Sequence, residues 1–314
     1  MRIFLAGATG VVGTALVPVL LRAGHDVSGT TRRAQKADAL AASGATPVVL
    51  DPLDRDAVVD AVTSAKPEVV VHQLTALTGM GDVRHFDRDF AMTNRLRTEG
   101  LDHLLAAARA AHARRFVAQS FTGWPNERTG GPVKTEDDPL DPNPVAASRE
   151  TLEAIRFLES TVSGAAADLE GVVLRYGGFY GPGTSISNGG EFVEMVRRRR
   201  FPIVGGGTGV WSFIHIDDVA AATLAAIEGG PPGVYNIVDD EPAPVSEWLP
   251  YLADAIGAKP PIRLPAWLAR PMLGEFGISM MISVRGSSNE KAKREFDWRP
   301  TYASWREGFH TGLG

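Results

Sequence analysis

The sequence predicts an α/β fold, a doubly wound parallel sheet with a smaller C-terminal domain. Three observations lead there. Short apolar runs alternate with stretches of helical spacing through much of the chain, the pattern of strands joined by crossover helices. A glycine-rich turn separates the first apolar run from the first helix, and a length of 314 residues exceeds what one hydrophobic core usually holds.

Taken in order, Ile3 to Ala6 is an apolar run that ends at the turn. Val11 to Leu21 then carries apolar residues at helical intervals and stops at Ala23-Gly24, so the chain opens as strand, turn and helix. Val27 to Thr30, Thr46 to Leu50, Val69 to His72 and Arg115 to Gln119 read as the next four strands, with helical stretches such as Asp54 to Ala65 and Thr98 to Ala111 between them. Gly171 to Arg175 supplies a sixth strand, and Gly233 to Val238 extends the sheet. Thr122 to Pro144 is rich in Pro, Gly and Asp and longer than an ordinary connection, which makes it a candidate lid or site loop. From Pro182 to Gly209 and after Pro242 the helices read as short. Arg197 to Arg200 follows the helical stretch Glu191 to Val196, where basic side chains complement the helix dipole.

Composition narrows the partners. Hydrophobic residues at 44% and charged residues at 22% are globular proportions that exclude disorder and a coiled coil. A net charge of −5 does not favour a phosphate backbone, so no nucleic-acid partner is expected. With no cysteine there is no disulfide, thiolate nucleophile or cysteine-ligated zinc, and no cluster has metal-ligand spacing. The opening apolar stretch meets Gly7 too soon for a signal peptide or membrane span, so no membrane partner and a cytoplasmic location are expected.

The segment GATGVVG sets Gly7, Gly10 and Gly13 between strand and helix, with Thr9, Val11 and Val12 in the same turn. Missing side chains there let a pyrophosphate approach the N-H groups of a helix N-terminus. This placement reads as a Rossmann-type dinucleotide site. A carboxylate some twenty residues on would hold the ribose hydroxyls of NAD, but the sequence has Thr31, Arg32 and Arg33, and arginines suit the 2′-phosphate of NADP. NADP is therefore the expected cofactor, ahead of NAD. Residues 1–181 are assigned mainly to the dinucleotide-binding domain and 182–314 mainly to a substrate domain, with 213–240 returning to the first.

Further motifs follow in order: LDPLD around Asp51 and Leu53, VVHQLTAL at Val70 to Leu77 with Leu74 and Thr75, Asn94, LRYGGFYGPG from Leu174, FIHIDDVA from Phe213, VYNIVDDEP from Val234 and EKAKREFDWRP from Glu290. With these the chain resembles the extended short-chain dehydrogenase/reductases, which include the NAD-dependent epimerases and dehydratases, over nearly its whole length. The resemblance implies that Asp51 and Leu53 border the adenine, that Leu74 and Thr75 line the cofactor, and that a small-molecule substrate is bound, with a homodimer compatible.

The departures bear on chemistry. In that family a Ser or Thr after the fifth strand holds the substrate oxygen, a Tyr transfers its proton, and a Lys four residues on lowers the Tyr pKa. Here Phe121 falls at the Ser, with Ser120 and Thr122 on either side, while Val145 falls at the Tyr and Arg149 at the Lys. Valine transfers no proton, and arginine stays cationic. Ser120, Thr122, Arg149 and Tyr176 are the candidate catalytic residues. Trp211 stands where the family carries an arginine for a sugar diphosphate; with Trp124, Phe179, Tyr180 and Met280 it suggests a more apolar ligand. His72 reads as a neutral lining residue, His215 as a packing residue, and His85, Asp87 and Asp89 as a solvated helix start. The expectation is an NADP(H)-dependent oxidoreductase-like enzyme acting on a small, largely apolar carbonyl or hydroxyl compound without the usual Tyr-Lys pair. The competing classes are a redox-neutral isomerase, lyase or cyclase and a non-enzymatic NADP(H) sensor.

Overall fold

The apolar runs form seven strands in the computed structural model, which describes residues 1–77, 83–165 and 168–314. They are β1 (Arg2–Ala6), β2 (Asp26–Thr31), β3 (Thr46–Val49), β4 (Val69–His72), β5 (Arg115–Phe121), β6 (Glu170–Tyr176) and β7 (Gly233–Ile237). All pair in parallel, in the order β7-β6-β5-β4-β1-β2-β3. The order reverses direction beside β1, and in such sheets the crevice at the carboxyl ends of the strands is where ligands lodge.

The helices in chain order are α1 (Val11–Arg22), α2 (Ala34–Ala42), α3 (Arg55–Ala65), α4 (Phe86–Arg97), α5 (Glu99–Ala110), α6 (Arg149–Ser163), α7 (Glu191–Arg197), α8 (Ile216–Glu228), α9 (Val245–Ala255), α10 (Ala266–Ile282), α11 (Glu290–Phe296) and α12 (Trp305–Thr311). Because successive strand residues face opposite sides, Ile3, Leu5, Val71, Val117 and Leu174 meet α1 and α8 on one face. Phe4, Val70, Phe116 and Val173 meet α3, α5 and α6 on the other. Capping is local: the Asp54 carboxylate accepts from the Ala57 N-H at 3.1 Å to start α3.

A third core collects Tyr180, Phe192, Phe213, Trp248, Ile278, Trp305 and Phe309. Helix α10 is longer than the sequence led us to expect, but Pro271 lies within it and Gly274 breaks it with φ 62°, so it is two short helices across a kink. The expected lid is tied down. Val133–Lys134 pairs with Gly286–Ser287, Asn126 bridges to Leu140, and Arg128 meets Asp141 at 2.6 Å. The stretch keeps its Pro and Gly turns, yet buried polar contacts hold it against the C-terminal segment.

Candidate active site

Gly7 adopts φ +96°, and a Cβ there would stand 2.5 Å from the Gln73 carbonyl oxygen. A Cβ on Gly13 would stand 2.3 Å from the Gly7 oxygen, so both glycines are required for the turn to fold against β4 and α1. Gly10 differs: its Cβ would meet only the Gly7 oxygen, at 3.4 Å, and it begins α1 with no side-chain cap. The first-turn N-H groups of α1 are left for an anion.

The turn floors a cleft of about 440 Å³ lined by Gly7, Thr9 to Val12, Thr30 to Arg33, Lys36, Leu50, Pro52, Gln73 to Leu77, Gln119 and Phe179. Side-chain bonds shape it: the Gly7 N-H donates to Thr30 Oγ1 at 3.0 Å, and Thr9 Oγ1 donates to Thr31 Oγ1 at 3.2 Å. Three cations and no carboxylate appear in this lining. Lys36 was missed in the sequence. It sits on α2, and its ammonium donates to the Thr9 carbonyl at 3.2 Å. The cleft fits a dinucleotide: an open helix N-terminus for the pyrophosphate, with Arg32, Arg33 and Lys36 at the same cleft.

Asp51 and Leu53 stand outside that lining, whereas Leu50 and Pro52 are within it. The reason is local: the Asp51 carboxylate turns back to accept from the Leu53 N-H at 3.0 Å. Leu74 and Thr75 line the cleft as expected.

The candidate catalytic residues do not converge on the cleft. Ser120 lies one residue beyond Gln119 and so faces the opposite side of the sheet, donating at 2.7 Å to Glu159 on α6. Glu159 also receives Arg175 at 2.9 and 2.6 Å, a buried fork. Nearby Arg97, fully enclosed, is drawn down to about 10 by burial, with Glu159 opposing the shift. Thr122 is buried against Ser287 at 2.6 Å and Asn126 at 3.3 Å, fastening the loop after β5. Arg149 is exposed at the start of α6, in a shallow surface hollow with Asn94, Arg95 and Glu153. Tyr176 is wholly buried, and burial pushes its pKa up to about 12, with bonds to Thr223 and Gln73 opposing. His72 faces the α5 side, where Nε2 donates to the Leu96 carbonyl at 3.0 Å, so it packs rather than lines the cleft.

Of the proposed substrate residues, Phe179 lines the cleft. Tyr180 belongs to the third core with its ring 5.5 Å from Phe309. Trp211 lies against Trp248, ring centroids 4.8 Å apart and tilted, and its indole donates at 2.8 Å to the backbone carbonyl of Met280, so Trp211 serves packing there, while the Met280 side chain is partly buried. His215 packs as expected, accepting from the Asp217 N-H and donating to the Gly312 carbonyl at 2.9 Å. Asp87 does more than begin a helix: its carboxylate accepts from Glu150 N-H, Thr151 N-H and Thr151 Oγ1, capping α6 from α4.

Trp124 and Val145 come together with Phe276 in a hollow of about 10 Å³ that also includes Ser148, Val284 and the Arg128–Asp141 ion pair. Phe86 stacks on Phe276 at 4.1 Å and on Phe90 at 4.1 Å, and Trp124 meets Phe86 edge-on at 5.2 Å. Aromatic rings thus stand beside Val145. Among the described residues, no group of three His, Asp or Glu side chains could hold a metal ion, and no helix is long and apolar enough to cross a membrane.

A seven-stranded parallel sheet with an open glycine cradle at its switch point defines a dinucleotide-binding protein of the Rossmann type. The model of the NAD dependent epimerase/dehydratase family matches residues 3–238, and the chain belongs to that family. Over 98% of its length it is 47% identical to a 3-diazoavenalumate denitrifying reductase of a Streptomyces species, covering 99% of that protein. It is 29% identical, over 82% of its length and 74% of the relative, to a 4-hydroxy-2-methyl-3-oxo-4-farnesyl-3,4-dihydroquinoline-1-oxide ketoreductase of Stigmatella aurantiaca. Among solved structures it resembles Thermus thermophilus UDP-glucose 4-epimerase in complex with NAD, at 25% identity and TM-score 0.73, over 100% of this chain and 98% of that one. The chain is an enzyme of this NAD(P)-dependent oxidoreductase kind.

Proposed function

We propose that the protein is an NADP(H)-dependent reductase of small, largely apolar aromatic compounds, acting on a diazo substituent whose replacement by hydrogen calls for no proton donor. The observation that carries this reading is Val145, set in the aromatic wall of Trp124 and Phe276 at the position of the phenol, with Arg149 turned out to solvent. The relative at 47% identity is named for denitrifying reduction of a diazo compound, which supports it. Held by the α1 N-terminus and Arg32, Arg33 and Lys36, a reduced nicotinamide would supply hydride, and an arenediazonium ion that takes up hydride at its ring carbon and loses dinitrogen gives the arene.

The chain's residues hold and shield. The α1 N-terminus and Arg32, Arg33 and Lys36 anchor the phosphates and orient the cofactor toward Gln119 and Phe179. Trp124, Phe276 and Val145 present apolar surface beside the Arg128–Asp141 ion pair and help keep water from the reacting carbon. Residues 182–314 contribute Phe276 to this substrate wall, and residues 1–181 contribute the rest. The test is incubation with NADPH carrying deuterium at the nicotinamide C4 and a stable arenediazonium carboxylate. Deuterium at the vacated ring carbon, with one dinitrogen released per NADPH oxidised, is expected. Reduction of an aryl ketone with no diazonium turnover would favour carbonyl chemistry and overturn the proposal.

A further inference from the structure

The cofactor-side face of the sheet carries a directed chain of hydrogen bonds. Thr223 on α8 donates to the Val219 carbonyl at 2.6 Å, which uses the only hydroxyl proton it has. Tyr176, 2.7 Å away, must therefore donate to Thr223 Oγ1 and can only accept from its other neighbour. That neighbour is Gln73, 2.9 Å from the phenol oxygen, so its amide nitrogen points at Tyr176. The Gln73 oxygen Oε1 is left buried with no hydrogen-bond partner, although the side chain lines the dinucleotide cleft. An unmatched buried acceptor is unfavourable, and a ligand donor can recover that loss.

A second amide stands next to it. His72 and Ala118 are partners in the β4-β5 ladder, so one residue on Gln73 and Gln119 lie side by side, both facing the cleft. Gln119 makes no side-chain hydrogen bond among the described residues, and it is only partly buried. Because the Gln73 polarity is fixed from α8, the pair presents an amide oxygen to the cleft, directly from Gln73 or from Gln119 once its nitrogen donates to Gln73 Oε1.

Resting on the cofactor reading above, we infer that Gln73 and Gln119 form an acceptor site for a hydrogen-bond donor on the nicotinamide-ribose half of the dinucleotide, with Thr223 and Tyr176 as positioning residues. The donor is the carboxamide or a ribose hydroxyl; the chemistry required of the site is the same.

The experiment measures dissociation constants of NADPH, 2′-phospho-ADP-ribose and 2′,5′-ADP for the wild type, Gln73→Met and Thr223→Val. Removing Thr223 Oγ1 frees Tyr176 to donate to Gln73 Oε1 and turn the amide round, from a position away from the cleft. Both variants should weaken NADPH about fivefold, the value of one net hydrogen bond, and leave 2′,5′-ADP unchanged. 2′-Phospho-ADP-ribose is unchanged if the carboxamide is the donor and weakened if the ribose is; either result supports the site. Equal weakening of all three ligands, as a structural role would give, overturns the inference, as does unchanged NADPH binding. Wild-type protein that binds none of the ligands would remove the cofactor reading itself, a result visible before any variant is made.

Discussion

Replacing Arg32 and Arg33 together by alanine isolates the reading of a phosphorylated ribose. Both line the cleft, both are exposed, and neither side chain has a protein partner among the described residues. Arg33 precedes α2 as its N-cap but gives it no side-chain bond, so the double variant should stay within about 0.5 kcal/mol of wild-type stability. Each arginine-phosphate contact at a solvent edge contributes about 1.5 kcal/mol, the low end for hydrogen bonds to charged groups. Losing both weakens NADPH by about 3 kcal/mol, roughly a hundredfold at about 1.4 kcal/mol per decade. NADH has no phosphate there and should shift less than about threefold, the scale of an exposed charge effect. Fluorescence titration of both reduced cofactors checks this, at two salt concentrations. The wild-type preference should shrink as salt rises, since the Debye length falls from about 10 Å at 0.1 M to about 3 Å at 1 M. Equal losses for the two cofactors, or a wild type that prefers NADH, would refute the assignment.

Asp239 is buried with one oxygen unpartnered, and burial, aided by Glu241 and Asp240 and opposed by backbone N-H groups of Glu241 and Trp305, raises its pKa well above the usual carboxylate value. The folded state holds the proton more tightly, so this stabilisation is complete below about pH 4 and is lost as pH rises through the folded pKa. Asp239→Asn should therefore gain stability over wild type at pH 8 and converge with it near pH 4; a urea-midpoint gap that does not change with pH would contradict this. Glu159→Gln strands Arg175, with Arg97 nearby, and should cost about 3–5 kcal/mol in chemical denaturation, with NADPH affinity of the folded fraction unchanged. Val145→Tyr with Arg149→Lys should not raise turnover of the native substrate, because the phenol would crowd Trp124 and Phe276; a substantial gain in kcat/KM would count against the proposed chemistry. Phe276→Ala should raise KM for aromatic substrates more than it lowers kcat, since it removes ring contact present before reaction, and steady-state kinetics would show the reverse if Phe276 acted only in the transition state.

The sheet was legible because each strand is a short apolar run and the glycine turn announces a close backbone approach. Helix α2 was not, since it buries only Leu40 and shows little periodicity, and with it went Lys36. Ser120 misled for a geometric reason: a shift of one residue along a strand exchanges the cofactor side for the α6 side, and Gln119 holds the position that faces the cleft. Val145 and Arg149 were read as departures, and the solvent-facing path of Arg149 depends on how α4 packs on α6. The aromatic wall draws on α4, the loop after β5 and α10. No local spacing connects such distant segments. Gln73 was in plain view within VVHQLTAL, yet its meaning lies in Thr223, which only the packing of α8 brings near.

The retained and altered parts of the site point the same way. Hydride addition to a carbonyl builds charge on oxygen, and an enzyme for that step needs a donor or cation beside it. Hydride replacement of dinitrogen from a diazonium ion consumes positive charge and expels a neutral molecule, so a donor there contributes nothing and a fixed cation would oppose binding of the cationic substrate. Val145 beside Trp124 and Phe276, with Arg128 neutralised by Asp141, is compatible with the second case, since aromatic rings attract cations. Loss of function by decay would be expected to erode the phosphate end too, yet Arg32, Arg33, Lys36 and the glycine cradle remain assembled around one cleft. On the proposed reading, the cation-lined cleft would hold the hydride donor, and the Val145 hollow, with Arg128 neutralised by Asp141, would face the acceptor.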